Sequence, residues 1–148
     1  MNEKLNEVLT FASQNPSSWV ATCEDNQPHV RGMLLWFADE TGFYYHTAKA
    51  KKIYRELQNN PNIEAAFIRN ANDPVNFEML RVNGIVEFVE DKELEKRLFQ
   101  ERAWLWGNIE RAGVDTEVSI FKITKGSAYI WNMTHNVKEG EIPRVSFA

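Results

Sequence analysis

The strand-like runs near the N-terminus are joined by short turns, and this arrangement limits the fold more than any other feature of the sequence. Residues 19–23 and 29–37 are rich in β-branched and apolar side chains, and a polar turn at residues 24–27 separates them. A second turn at residues 39–42 leads to another run at residues 43–47. Consecutive strands joined by such short turns pair antiparallel, because a parallel pair needs a long crossover. The pattern therefore favours an antiparallel sheet.

Helical patterns interrupt these strands at three places. The sequence predicts helices at residues 3–14, at residues 51–59 and from residue 90 onward, and further strands at residues 63–68, 77–89, 118–124 and 127–133. We expect a kink at Gly84, a hairpin turn at Lys125-Gly126, and loosening or termination of the last helix at Gly107 and Gly113. Residues 134–148 lack periodicity and are predicted to form a tail. The order predicts one α+β domain over residues 1–148, an antiparallel barrel with helices packed outside.

Composition excludes several classes of function. Of the 148 residues, 43% are hydrophobic, which is enough for one globular domain. The net charge of −4 argues against broad nucleic-acid binding, which needs a basic surface. No apolar run is long enough to span a bilayer, and the first residues do not resemble a signal peptide, so we expect a cytoplasmic protein without a membrane partner.

Few residues are suited to metal binding or disulfide formation. The single cysteine, Cys23, excludes an internal disulfide and a thiolate zinc site. His29, His46 and His135 are far apart in the sequence, so we expect no metal site. Among the five tryptophans, Trp19 is predicted to lie in the barrel core.

A group of lysines follows the strand that ends at Thr47, at the point where a helix should begin. The first N–H groups of a helix have no partner within the helix and carry partial positive charge, so they suit a bound anion. Lys51 and Lys52 would add full charges, and Arg31 could reach the same place from a neighbouring strand. These residues predict a phosphate site at the mouth of the barrel. A solvated lysine face and a surface arginine are the alternative interpretation.

Several motifs, taken in order, resemble those of one known family. They are Pro28-x-x-Arg31, Tyr45-x-Thr47, Lys51-Lys52, Asn60-Pro61 and Leu80-Arg-Val-Asn-Gly84. Over roughly residues 5–133 the chain resembles the pyridoxamine 5′-phosphate oxidase-like, flavin-binding split-barrel family. It is most similar to the short members that are described as general-stress or nitroimidazole-resistance proteins. The resemblance implies a split barrel that binds FMN at a homodimer interface.

The resemblance also implies a role for individual residues. The matched cofactor-binding residues are Arg31, Gly32, Met33, Leu34, His46, Thr47, Lys51, Lys52 and Trp131. In this match Arg31, Lys51 and Lys52 meet the phosphate, and Trp131 closes on the flavin from the partner subunit. From the residues alone, His46 is equally well a neutral, hydrogen-bonded strand histidine, and Trp131 is equally well a core residue. No catalytic residue is assigned.

Three departures from the family pattern bear on activity. The oxidases that give the family its name have a lysine where this chain has Trp36 and a glutamine where it has Met79. Their C-terminal Arg-x-x-His motif is also missing, since no arginine follows Trp131 until Arg144. The sequence therefore predicts a protein that is not a true pyridoxamine phosphate oxidase.

The expected activity is FMN-dependent oxidoreduction. A reduced nicotinamide would be the donor and a small planar molecule the acceptor, with nitroaromatic compounds as one class. A non-catalytic flavin-binding or redox-sensing protein and a haem-binding split barrel are the alternatives. Substrate specificity is expected to lie in loops at residues 70–76 and 107–116 and in the tail.

Overall fold

An antiparallel sheet forms the framework of the computed structural model, which describes residues 2–113 and 115–148. In this part of the chain the strands are β1 (Ser17–Glu24), β2 (Gln27–Leu34), β3 (Phe37–Asp39), β4 (Gly42–Ala48), β5 (Asn62–Arg69), β6 (Glu78–Val89), β7 (Val118–Asn132) and β8 (Val145–Phe147). The helices are α1 (Glu3–Gln14), α2 (Lys52–Asn59), α3 (Lys92–Glu101) and α4 (Trp104–Ala112). The strands lie in the order β2-β1-β5-β6-β7-β4-β3, and β8 pairs with β7. The predicted α+β class is confirmed.

One apolar core explains why the sheet wraps into a barrel. Val20 of β1, Phe43 of β4, Leu80 of β6 and Phe121 of β7 are fully buried in the same cluster, although their strands are spread across the sheet. Helices α1 and α2 add their apolar faces to this cluster. Burial of large apolar side chains stabilises the fold by about 1.5–3 kcal/mol each. The core therefore closes the barrel and holds the two helices against it.

A second, smaller cluster positions the helices that follow β6. Leu98 of α3 and Leu105 of α4 are buried against Tyr44 and Ile120. Helix α3 begins after Asp91, whose carboxylate accepts hydrogen bonds from two backbone N–H groups of the first turn. Gly113 ends α4 in the left-handed conformation, as expected, whereas Gly107 lies inside α4 and does not end a helix.

The last predicted hairpin is instead one continuous strand. Residues 118–124 and 127–133 were expected as two strands, but β7 runs from Val118 to Asn132. Both halves pair with β6, and Lys125-Gly126 lies opposite the single residue Gly84 in a β-bulge. A Cβ on Gly126 would lie 1.7 Å from the Asn83 carbonyl oxygen, so only glycine fits. Lys125-Gly126 thus interrupts the ladder without reversing the strand, and this irregularity lies opposite Gly84, where the sequence predicted a kink.

Two further expectations are wrong. The predicted tail contains β8, and its Val145 and Phe147 side chains are buried in the barrel core. The strand was missed because it has only three residues, too few to show alternation. Trp19 is 55% exposed, because β1 alternates and its neighbours Ser18 and Val20 occupy the inward positions.

Candidate functional site

A cleft of about 410 Å³ lies between β2, β4 and α4. Its walls are mainly apolar, with Met33 and Leu34 from β2 and Trp104, Leu105 and Ile109 from α4. His46, Thr47, Asn108 and Thr116 add polar groups. A cavity of this size and composition is typical of sites for small molecules and cofactors.

A groove of about 360 Å³, with both charged and apolar side chains in its walls, adjoins the cleft at the start of α2. Gly32, Met33 and Lys51 line both spaces. Arg31, Lys52 and Glu56 are among the residues that line only the groove. The two spaces together therefore suit an extended ligand with an apolar part and an anionic part.

Thr47 and the start of α2 present unused hydrogen-bonding groups. The Thr47 hydroxyl is buried, and within the described residues it has no hydrogen-bond partner. No side chain caps the first turn of α2, because the preceding residue is Lys51. A buried hydroxyl without a partner is unfavourable by about 1–3 kcal/mol, so a ligand that reached it would remove a real penalty. These groups lie where the sequence predicts an anion site, which stays a prediction.

Arg31 has a partner that the sequence did not reveal. Its Nη2 atom donates to both carboxylate oxygens of Glu56 at 2.9 and 2.7 Å, and its Nη1 atom donates to the Thr22 hydroxyl at 2.9 Å. Thr22 in turn donates to Glu56 at 2.9 Å. The Arg31 guanidinium is thus fixed in the groove with its charge paired to a carboxylate.

Glu56 is itself an unusual residue for this position, since it is only 2% exposed. Burial alone raises the pKa of its carboxyl, but the hydrogen bonds from Thr22 and Arg31 outweigh that effect and lower it. Glu56 therefore stays ionised. The sequence held a weak signal for it, because Glu56 lies beside Leu57 and three residues after Ile53 on the predicted buried stripe of α2.

His46 contacts the first residue after α3. Arg102 donates from Nη1 to His46 Nε2 at 2.7 Å and from Nη2 to the Leu35 carbonyl at 2.6 Å. Burial, followed by the charges of Arg102 and Lys51, lowers the pKa of His46 to about 4. His46 is therefore a neutral, hydrogen-bonded histidine, which is one of the two interpretations left open by the sequence, and it also lines the cleft. No pattern in the sequence pointed to Arg102, because it lies at a break between two helices.

The structure brings together eight of the nine predicted cofactor residues. Gly32, Met33, Leu34, His46, Thr47 and Lys51 line the cleft, and Arg31 and Lys52 line the groove. Trp131 lies apart from both, on β7 opposite Met79, with its ring 5.8 Å from that of Phe77. Its predicted contact with the flavin of a partner subunit stays a prediction.

None of the helices that the described residues form is long and apolar enough to cross a membrane. Across residues 2–113 and 115–148, no group of three or more His, Cys, Asp or Glu side chains could hold a metal ion.

Solved structures share this fold at low sequence identity. A NimC/NimA-family protein from Clostridium acetobutylicum is 19% identical, with a TM-score of 0.70, over 96% of this chain and 91% of that one. General stress protein 26 from Bacillus anthracis is also 19% identical, with a TM-score of 0.68, over 97% and 98%. The haem storage protein HutZ from Vibrio cholerae is 16% identical, with a TM-score of 0.60, over 82% and 89%. At these identities the likeness shows the split-barrel fold alone.

Sequence comparison identifies the family directly. No curated protein matches the chain. The family model described as pyridoxamine 5′-phosphate oxidase, however, matches residues 2–132, which is most of the sequence. The motifs that suggested this relationship lie in that range, and three of them contribute Arg31, Thr47, Lys51 and Lys52 to the lining of the cleft or the groove. The chain therefore belongs to the pyridoxamine 5′-phosphate oxidase family.

Proposed function

We propose that this protein binds FMN in the joined cleft and groove and acts as an FMN-dependent oxidoreductase. The observation that carries the proposal is the continuity of an apolar cleft with a cationic groove at Lys51, beside the buried hydroxyl of Thr47 that lacks a partner. An isoalloxazine ring suits the apolar walls. A phosphate suits the lysines and the open first turn of α2.

Each group would have a distinct task in holding the cofactor. Lys51, Lys52 and the first N–H groups of α2 would bind the phosphate, and Thr47 would hydrogen-bond to it or to the adjoining chain. Arg31 would contribute the N–H groups that Glu56 and Thr22 leave unused. Met33, Leu34 and Trp104 would exclude water from the ring. The bound flavin would supply the electron transfer, and the protein would orient its partners.

We also propose a homodimer, because the outer face of the sheet is apolar next to the cleft. Val30 and Leu34 are 68% and 45% exposed, and Trp19 lies beside Gly32, which lines the cleft. Trp131 lies on the same face, because it is opposite Met79 on β6, and Met79 is in turn opposite Ile68 on β5. A second copy on this face would cover the exposed side chains and complete the site. Light scattering of Val30→Glu should show monomers where the wild type gives dimers, and a dimeric variant would argue against this surface.

For the substrates, we propose a reduced nicotinamide as donor and a small planar acceptor, with nitroaromatic compounds as one class. The apolar cleft walls suit stacking of a planar molecule over the flavin. Pyridoxamine phosphate is not expected to be an efficient substrate. Trp36, which replaces the oxidases' lysine, donates its indole N–H to Glu101 at 3.0 Å and provides no cation for a second phosphate.

Haem binding is less well supported by this cleft. Iron coordination by His46 Nε2 would require loss of the Arg102 hydrogen bond at 2.7 Å. The lysines of the groove do not distinguish the two cofactors, because they would suit a haem propionate as well as a phosphate. FMN binding would leave the Arg102–His46 hydrogen bond intact.

Flavin titration tests the proposal. We expect the purified protein to bind FMN more tightly than riboflavin, because only FMN carries the phosphate. Equal affinity for the two would refute the phosphate assignment. Steady-state oxidation of NADH or NADPH with a nitroaromatic acceptor then separates an enzyme from a flavin-binding redox sensor, for which turnover would be absent.

A further inference from the structure

Arg102 has an unusual position for an arginine, since its guanidinium bonds to no carboxylate of the described residues and is influenced by the Glu101 charge only at longer range. Within the described residues it forms no ion pair, and its two hydrogen bonds go to His46 Nε2 and to the Leu35 carbonyl oxygen. Its guanidinium also lies 5.9 Å from the ring of Trp104, which lines the cleft. The pair of His46 and Arg102 thus brings a positive charge to the cleft by a short, directed contact.

This contact determines which nitrogen of His46 carries the proton. A guanidinium has five N–H donors and no acceptor, so His46 Nε2 must be the acceptor. A neutral imidazole with a bare Nε2 carries its proton on Nδ1. No residue in the described part of the chain bonds to Nδ1, and Nδ1 is not among the buried atoms without a partner. The Nδ1–H group is therefore not fully buried, and His46 lines the cleft.

We propose that Arg102 is a positioning residue that fixes His46 as an Nδ1–H donor toward an acceptor atom of the ligand in the cleft. Donation to Nε2 also polarises the ring, which strengthens the Nδ1–H group as a donor to an oxygen or nitrogen that carries negative charge. The identity of the ligand rests on the proposed FMN site, whereas the tautomer of His46 follows from the Arg102 hydrogen bond alone. His46 is accordingly a donor to the ligand and not a base.

The tautomer can be measured in the full chain without any ligand. Nitrogen NMR distinguishes a protonated ring nitrogen from a bare one, and the three histidines can be assigned with His46→Gln. We expect protonated Nδ1 and bare Nε2 in the wild type at neutral pH, and a mixture of tautomers in Arg102→Met. Arg97→Met is the matched control, because Arg97 lies on α3 and bonds to Glu101 instead. Protonated Nε2 in the folded wild type would overturn the assignment, whether or not the variants fold.

Ligand addition tests the second half of the proposal. Saturating FMN should shift the Nδ1–H resonance of His46, and an unchanged resonance with FMN bound would refute the donor role. An equal shift with riboflavin places the acceptor in the flavin ring or its ribityl chain, whereas a shift with inorganic phosphate places it in the phosphate. Arg102→Met should weaken FMN binding roughly threefold to tenfold, as expected for one hydrogen bond. If neither flavin binds, the proposed function and the ligand contact both fail. The ligand-free measurement of the His46 tautomer would still show whether Arg102 donates to Nε2.

Discussion

At the scale of single residues, the pairing of Arg31 with Glu56 changes what an arginine substitution would measure. Removing Arg31 does more than remove a phosphate ligand, because it leaves the carboxylate of Glu56 buried with only Thr22 as a partner. An unpaired buried charge is strongly destabilising, whereas replacement of both partners is often tolerated. The stability of Arg31 variants must therefore be separated from their affinity for FMN.

A double-mutant cycle makes this separation. We expect Arg31→Met to lower the free energy of unfolding by about 3 kcal/mol, the lower end of the range for a broken buried pair. Arg31→Met combined with Glu56→Gln should recover at least half of that loss, since no unpaired charge remains. Urea unfolding without flavin measures both variants and the single variant Glu56→Gln, which completes the cycle. Additive losses in the double variant would show that the two side chains are energetically independent.

His46 makes the free energy of unfolding depend on pH. Its pKa is lowered to about 4 in the folded chain by burial and by the charges of Arg102 and Lys51, whereas an unfolded histidine titrates near its ordinary value of about 6.5. The unfolded chain therefore binds more protons between these values, and stability falls as the pH drops from about 6.5 to about 4. The contribution is at most about 3 kcal/mol. His46→Gln should lose less stability than the wild type between pH 7 and 5, and parallel profiles would contradict the lowered pKa.

At the scale of elements, the junction of β4 with α2 shows what a sequence can and cannot predict. The strand, the helix and the lysines between them were readable because strand alternation, helix periodicity and a breaker at Asn60-Pro61 are local signals. The partners from elsewhere in the chain were not readable. Glu56 meets Thr22 and Arg31, and His46 meets Arg102, through contacts that only the tertiary fold creates.

The same junction offers a controlled test of the phosphate assignment. Lys52→Ala should weaken FMN binding by roughly 1.5–3 kcal/mol, the range for a hydrogen bond to a charged group, and should leave riboflavin binding nearly unchanged. Lys49→Ala is the matched control, because Lys49 bonds to Glu117 at 2.8 Å and does not line the groove. Flavin fluorescence titration measures all four affinities. Equal losses in the two variants would indicate a general charge effect and no specific site.

At the scale of the whole molecule, the barrel was predicted as a class but not in its details. Short turns and the strand order predict the antiparallel topology. The bulge at Lys125-Gly126 and the buried strand β8, by contrast, depend on which distant strand each segment pairs with. The outward position of Trp19 also depends on the tertiary fold, since its β1 neighbours Ser18 and Val20 take the inward positions. Trp131 shares that outer face, so its predicted role depends on a second copy of the chain.

Subunit mixing tests that role in a way that a single variant cannot. If each site takes Lys52 from one protomer and Trp131 from its partner, Lys52→Ala and Trp131→Ala should each weaken FMN binding as homodimers. A hybrid dimer of the two variants should regain one wild-type site, because the Trp131→Ala protomer supplies Lys52 and the Lys52→Ala protomer supplies Trp131. Differently tagged chains allow the hybrid to be purified and titrated with FMN.

The alternatives give different results in the same titration. If Lys52 and Trp131 acted within one protomer, every site of the hybrid would carry one substitution, and tight binding would not return. If Trp131 only packs against Phe77 and Met79, Trp131→Ala would lower stability and leave FMN affinity unchanged in the homodimer. Recovery of one tight site per hybrid is expected only when two chains share each site, so this outcome tests the dimer, the placement of Trp131 and the phosphate role of Lys52 together.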